Sequence, residues 1–191
     1  MKKQGHIFGY RDAMTFVPDR PSAIIRICDF ETRDYRDARG GWDNSPKAPL
    51  VESSHWKRIL SYRFGDIDPD RHALYEGEES AKSYLAGLED RVINADLAAT
   101  MVEDFCQIPV DVECYVFHCN AGMSRSPAVA LAINHIFDLR LQWGERASRI
   151  LKSFKGRQEK DWHRAPDIVG NLTVYNRLIS AAKALGYLTG E

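Results

Sequence analysis

The stretch that decides the fold is Val112-Glu113-Cys114-Tyr115-Val116-Phe117-His118-Cys119-Asn120-Ala121-Gly122-Met123-Ser124-Arg125-Ser126-Pro127. Its first part is β-branched and aromatic, which predicts a buried strand over 112–117. The apolar run that opens at Pro127 predicts a helix, because proline is tolerated in the first helical turn. Residues 118–126 are therefore predicted to form a strand-to-helix turn.

This turn has the properties of an oxyanion site. The backbone N–H groups and the positive end of the helix dipole are expected to point into one concavity. Gly122 gives the loop the backbone freedom to curl tightly. The residues expected to bind phosphate are Asn120, Ala121, Gly122, Met123, Ser124 and Arg125.

Four side chains of the turn have individual predicted roles. Cys119 is the expected nucleophile, because oriented amides and a guanidinium stabilise a thiolate. Arg125 offers a planar fork that binds two phosphoryl oxygens at once. Ser126 is expected to donate a hydrogen bond to the sulfur, and His118 to orient the loop by hydrogen bonds to its backbone.

The pattern His-Cys-x-x-Gly-x-Ser-Arg-Ser resembles the signature of the cysteine-dependent protein tyrosine phosphatases, and its Ser-Arg-Ser-Pro ending most resembles the dual-specificity branch. The resemblance implies hydrolysis of phosphomonoesters through a phosphocysteine, with no metal and no cofactor. The alternative is a buried structural cysteine beside an ordinary glycine turn.

A general acid is expected after another predicted strand, at 57–64. Asp66, Asp68 and Asp70 follow it closely. In related phosphatases the acid stands on a loop in an Asp-x-x-Pro context, which Asp66-Ile67-Asp68-Pro69 resembles. We favour Asp66 as the general acid, with Asp68 as the alternative. Two further hypotheses stay open, that Asp70 is the acid or that this segment contains no acid. Such carboxylates are equally typical of turns and helix N-caps.

The cysteines are Cys28, Cys106, Cys114 and Cys119, with neither metal-ligand spacing nor the density of a disulfide framework. A reducing compartment fits this usage, and three of them are typical small buried hydrophobes. Cys28 ends a predicted strand at 23–28. Some phosphatases of the resembled superfamily place a cysteine at a similar strand end, which makes Cys28 a possible redox partner of Cys119.

Length and composition are typical of a soluble globular domain. The chain has 191 residues, 44% hydrophobic and 28% charged, with a net charge of −1. We therefore expect one domain, 1–191, that is cytoplasmic and binds neither nucleic acid nor a membrane. The expected partner is a phosphorylated protein or a small phosphomonoester, and the sequence does not indicate an oligomeric state.

The remaining pattern predicts an edge strand near 6–10 and helices near 79–86, 89–108, 127–138, 141–154 and 172–185. Residues 71–80 are polar and predict a loop. The long segment 29–54 is a solvated connector or a wall of the substrate pocket. Asn171 or Asp167 is a candidate for positioning the hydrolytic water. The predicted fold class is α/β: a central, mostly parallel sheet with helices on both faces and the phosphate loop between a strand and a helix.

The substrate class is indicated by the uncharged loop positions Asn120, Ala121 and Met123. They favour a monophosphorylated residue, with phosphotyrosine ahead of phosphoserine or phosphothreonine. Two alternatives stay open. One is an inositol-phosphate or RNA 5′-triphosphate phosphatase with the same nucleophile. The other is a phosphoprotein-binding module without turnover, which the intact Cys119 and Arg125 disfavour.

Overall fold

A computed structural model describes residues 2–28, 49–155 and 170–188. Two predictions lie outside these described residues. One is that segment 29–54 is a connector or a wall of the substrate pocket, of which 29–48 are not described. The other is the water-positioning role of Asp167.

The described residues form one five-stranded sheet in the order β3-β2-β4-β1-β5, and every neighbouring pair is parallel. The strands are β1 (Gln4–Phe8), β2 (Ser22–Cys28), β3 (Trp56–Arg63), β4 (Cys114–His118) and β5 (Gln142–Trp143). The predicted α/β class with a parallel sheet is therefore confirmed.

Helices connect these strands. Among the described residues they are α1 (Tyr10–Thr15), α2 (Pro69–Glu76), α3 (Glu78–Leu85), α4 (Ala95–Cys106), α5 (Arg125–Ile136), α6 (Glu145–Lys155) and α7 (Leu172–Ala184), with a 3-10 turn at Glu89–Arg91. None of the helices in the described ranges is long and apolar enough to cross a bilayer.

The core is divided by the sheet into two unequal parts. All residues of β2 and β4 are buried, as expected for central strands of a parallel sheet. Alternate side chains such as Ile25 and Phe117 join one large cluster with residues of α4, α5 and α7. On the opposite face a small cluster of Ile24, Cys114 and Val116 is covered by Phe16, Leu50 and Trp56.

Four details of the sequence prediction are wrong. The helix predicted from residue 89 begins at Ala95, where Asn94 caps it, and is preceded by the separate 3-10 turn at Glu89–Arg91. β1 is not an edge strand, because β4 and β5 flank it. Residues 69–76, partly predicted as loop, form α2; this helix buries only Pro69 and so shows no hydrophobic period. Residues 142–143 form β5 instead of opening a helix, and two residues are too few to produce a strand periodicity.

The parallel arrangement positions the functional residues. The carboxyl ends of parallel strands lie at one edge of the sheet, where ligands bind in such folds. Gly9 follows β1, Cys28 ends β2, Phe64 follows β3 and Cys119 follows β4. Groups that are far apart in sequence are thereby brought to the same edge.

Candidate active site

Residues 119–124 connect β4 to α5. This stretch is shorter than the predicted turn 118–126, because His118 ends β4 and Arg125 and Ser126 already belong to α5. Cys119 is the first residue of the loop. Its side chain is only 2% exposed. Its Sγ lies 3.2 Å from Oγ of Ser126, which is fully buried in the first turn of α5. With the sulfur as a thiolate, the hydroxyl is the donor of this hydrogen bond.

Three neighbouring segments hold the loop. The Tyr10 N–H, at the start of α1, donates to the Asn120 carbonyl at 2.9 Å. The Asn171 N–H, just before α7, donates to the Ser124 carbonyl at 3.2 Å. From within the loop's own helix, Nη1 of Arg125 donates to the Phe64 carbonyl at 2.7 Å. These bonds fix both ends of the loop against the strand ends around it.

Gly122 has a backbone conformation that favours glycine. Its φ is +72°, in the left-handed region. It also packs tightly against the end of β1: a Cβ at this position would lie 2.6 Å from backbone atoms of Phe8 and Gly9. Both the backbone angle and the available space therefore exclude a side chain.

The Arg125 guanidinium is buried, with the residue 3% exposed. A buried guanidinium that donates to a main-chain carbonyl has few rotamers available, so its direction is fixed before any ligand arrives. This pre-orientation lowers the entropic cost of binding an anion at the loop.

His118 is also fully buried. Burial is the main cause that lowers its pKa from 6.5 to about 4; the charge of Arg26 comes second, and Arg125 adds a smaller effect. The ring packs edge-on against Tyr10, with centroids 6.4 Å apart. Neither ring nitrogen has a hydrogen bond of standard geometry among the described residues, although the Cys119 backbone acts as a hydrogen-bond partner that raises the pKa against these effects. His118 is thus a packed neutral ring under the loop, and its role in orienting the loop stays a prediction.

Asp66 reaches the loop from the segment after β3. Its carboxylate Oδ1 accepts a hydrogen bond from Ser124 Oγ at 2.6 Å and one from Asn171 Nδ2 at 3.0 Å. The residue is exposed. The structure thus holds an exposed carboxylate against the loop that begins at Cys119.

Asp68 has a different environment. Its carboxylate accepts hydrogen bonds from the Arg71, Leu172 and Thr173 N–H groups and from the Thr173 hydroxyl, and pairs with Arg71 Nε at 3.2 Å. It therefore caps α2 and ties it to the first turn of α7. Asp70 accepts a hydrogen bond from Asn176 on α7 at 2.8 Å. Both carboxylates are used in packing helices, and Asp66 is the one that contacts the loop.

The outer side of the loop is open. Asn120, Ala121 and Met123 are exposed, so their uncharged side chains are available to a ligand. A cavity of about 300 Å³ adjoins Asn120, and its other lining residues are Gly9, Tyr10, Arg11 and Asp12. The sequence did not predict this cavity, and its lining includes neither Cys119 nor Arg125.

Cys28 ends β2, between the strands that lead to Cys119 and to Asp66. It is fully buried and forms no disulfide. A redox role for it stays a prediction. Cys114 is buried as predicted, but Cys106 is exposed on α4, so the prediction that it is a buried hydrophobe is wrong. Within the described ranges no three His, Cys, Asp or Glu side chains converge in a way that could hold a metal ion.

Several residues of this site were not predicted. Tyr10, Phe64 and Thr173 take part through backbone groups or a hydroxyl, and such contacts leave no sequence signal. Asn171 does have a local signal, since an Asn just before a helical period is typical of an N-cap. Its contact with Asp66, 105 positions away, has none.

Comparisons with family models, with curated proteins and with solved structures found no match to this chain.

The first prediction concerns Gly122. We expect Gly122→Ala to lower the free energy of unfolding by about 1–3 kcal/mol more than Gly186→Ala does. Gly186, just after α7, has a φ of +80° and open space around its Cβ position, so it supplies only the backbone cost, about 1–2 kcal/mol. Urea unfolding of the two variants makes the comparison. Equal losses would contradict the close packing of the loop against β1.

The second prediction concerns pH. The pKa of His118 is lower in the folded than in the unfolded chain, so its contribution to stability is complete above pH 6.5 and is lost as the pH falls toward 4. Between pH 7 and pH 5 we expect a loss of about 2 kcal/mol from this residue.

Urea unfolding of His118→Asn should show a correspondingly smaller loss over this interval than wild type. His135→Gln, which changes an exposed histidine on α5, serves as the control and should follow wild type. A His118→Asn variant that loses as much stability as wild type would show that His118 is not the buried neutral group described.

Proposed function

We propose that this protein is a metal-independent, cysteine-dependent phosphatase that hydrolyses phosphomonoesters through a phosphocysteine. Phosphotyrosine in proteins is the favoured substrate, ahead of phosphoserine and phosphothreonine. The proposed setting is cytoplasmic, and the proposed partner is the phosphorylated protein itself.

One observation carries the proposal. Asp66 hydrogen-bonds to Ser124 of the loop that begins at Cys119, across a sequence separation of 58 residues. A cysteine that can act as nucleophile, an arginine that can bind an anion and a carboxylate that can donate a proton thus lie at one edge of the sheet. A buried structural cysteine would require none of these neighbours.

In the first step the Cys119 thiolate attacks phosphorus in line, and the bond from phosphorus to the leaving oxygen breaks. Arg125 and the loop amides bind the nonbridging oxygens, where charge stabilisation contributes most to phosphoryl transfer. Protonated Asp66 gives its proton to the leaving oxygen. The products are an alcohol or phenol, a phosphocysteine and the Asp66 carboxylate.

In the second step water attacks the phosphocysteine and gives a proton to the Asp66 carboxylate as the S–P bond breaks. Inorganic phosphate leaves, and the enzyme returns to a thiolate and a protonated acid. The Ser126 hydroxyl, 3.2 Å from the sulfur, donates to the departing thiolate and lowers the energy of its release.

The choice of substrate is supported by the rim of the loop. Asn120, Ala121 and Met123 are exposed and uncharged, so these three loop positions add no cation for a second phosphate. Arg11, which lines the adjoining cavity, is followed there by the acidic Asp12. A single phosphorylated side chain therefore suits this site better than a polyphosphorylated inositol or an RNA 5′-triphosphate.

The third prediction separates the two candidate acids. Initial rates on a phosphotyrosine peptide are measured against pH, in EDTA, for wild type, Asp66→Asn and Asp68→Asn. Asp66→Asn should lose the alkaline limb of the profile and about 10²- to 10⁴-fold in rate, because it cannot give a proton. Asp68→Asn should keep the shape of the wild-type profile and lose stability, because an amide has one acceptor oxygen where Asp68 uses two for the Leu172 and Thr173 N–H groups, and it loses the charge that pairs with Arg71.

A wild-type enzyme that is active only without EDTA would contradict the metal-free mechanism. If Asp68→Asn is the variant that loses the alkaline limb, the assignment of the acid is wrong. A wild type that is inert toward the peptide but active on inositol phosphates or an RNA 5′-triphosphate would contradict the substrate class and leave the nucleophile in place.

A further inference from the structure

Asn171 is the point where three parts of the site meet. The residue is fully buried although it is polar. Its Nδ2 donates to Asp66 Oδ1 at 3.0 Å and to the Ile67 carbonyl at 3.2 Å. Its own N–H donates to Ser124 of the phosphate loop, and its Oδ1 accepts the Val174 N–H at 2.9 Å as the N-cap of α7.

We propose that Asn171 is the positioning residue for Asp66, and that it fixes Oδ2 of Asp66 as the oxygen that carries the catalytic proton. This inference rests on the proposed phosphatase function. It assigns to Asn171 a role in proton delivery in place of the role in holding water that the sequence suggested.

The orientation of the Asn171 amide is determined by its neighbours. The Val174 N–H can only donate, so the atom facing it is the amide oxygen. The Ile67 carbonyl can only accept, so the atom facing it is the amide nitrogen. Asp66 Oδ1 therefore receives an N–H from Asn171, and the amide satisfies both of its hydrogens.

This arrangement distinguishes the two oxygens of Asp66. Among the described residues, both hydrogen bonds to the carboxylate end on Oδ1, one from Asn171 and one from Ser124. When Oδ1 accepts from both Asn171 and the Ser124 hydroxyl, its two lone-pair directions are occupied, so the proton of the acid form is on Oδ2.

Asn171 also links the acid to a rigid part of the fold. α7 packs against α4 and α5, and its Val174 and Leu178 are fully buried in the large core cluster. α5 carries Arg125 and Ser126, so the acid and the nucleophile loop are held by the same packed layer. An exposed carboxylate without this contact would sample other rotamers and spend less time near the leaving oxygen.

The fourth prediction uses Asn171→Ser, because serine keeps an oxygen that can cap α7 and removes the amide donor. Values of kcat/KM are measured on phenyl phosphate, whose leaving group has a pKa of about 10, and on an aryl phosphate with a more acidic phenol. We expect a fall of roughly 10- to 100-fold on phenyl phosphate and a clearly smaller fall on the better leaving group, which needs less protonation.

The matched control is Asn176→Ala, on the same helix, which removes a similar amide contact to Asp70 and should leave both values unchanged. The same serine substitution is also made in Asp66→Asn. There it should change kcat/KM by no more than about twofold, because the group that it positions is already disabled. Thermal unfolding of each variant verifies folding. If the serine variant does not fold, Asn171→Thr keeps a neutral cap, also removes the amide donor, and should show the same dependence on the leaving group.

The outcomes separate the two proposals. If wild type hydrolyses both esters and depends on Asp66, but Asn171→Ser behaves like Asn176→Ala, the positioning role is wrong and the phosphatase stands. An equal fall on both esters, repeated in the Asp66→Asn background, also overturns the positioning role, since it indicates general damage to the loop. A wild type without phosphatase activity would overturn the proposed function, and the positioning role with it.

Discussion

The position of the loop between β4 and α5 is fixed by close packing and hydrogen bonds, and the rest of the site depends on this constraint. Gly122 lies against the end of β1 with no room for a Cβ, and hydrogen bonds join the loop to Tyr10, Phe64 and Asn171. Because these contacts are formed by the fold, the loop is ordered before any ligand arrives, which lowers the entropic cost of the anion binding that we propose. The buried Cys119 and Arg125 are held in place by the same contacts.

The strand order of the sheet explains how segments that are distant in sequence can supply the contacts to this loop. β4 is central, β1 is its neighbour on one side, and β2 separates it from β3 on the other. Arg125 reaches past the end of β2 to the residue that follows β3. Asp66, two residues further on, is thereby placed where its carboxylate meets Ser124. α7 contacts the loop through Asn171, whose N–H donates to Ser124. Asp68 joins α2 to the start of α7.

Much of this could be predicted from local pattern. The buried runs of β2 and β4, the glycine at 122 and the spacing of Cys119 and Arg125 are local signals, and the strand, the loop and the helix lie where they indicate. Asp68 was ambiguous because an N-cap and an acid on a loop use the same residue type. α2 and β5 were missed, because a polar helix and a two-residue strand have no hydrophobic period. The contacts of Asn171 and Thr173 depend on chain packing that no local window contains.

The central claim is that Cys119 is the nucleophile and carries the phosphoryl group. Its most direct test is to quench the enzyme in acid during turnover of a phosphate-labelled aryl ester in EDTA, and to locate the label by peptide mapping. The account predicts label on the peptide that contains Cys119, and neither label nor turnover in Cys119→Ser. Turnover that persists in Cys119→Ser, or label on another residue, would contradict it.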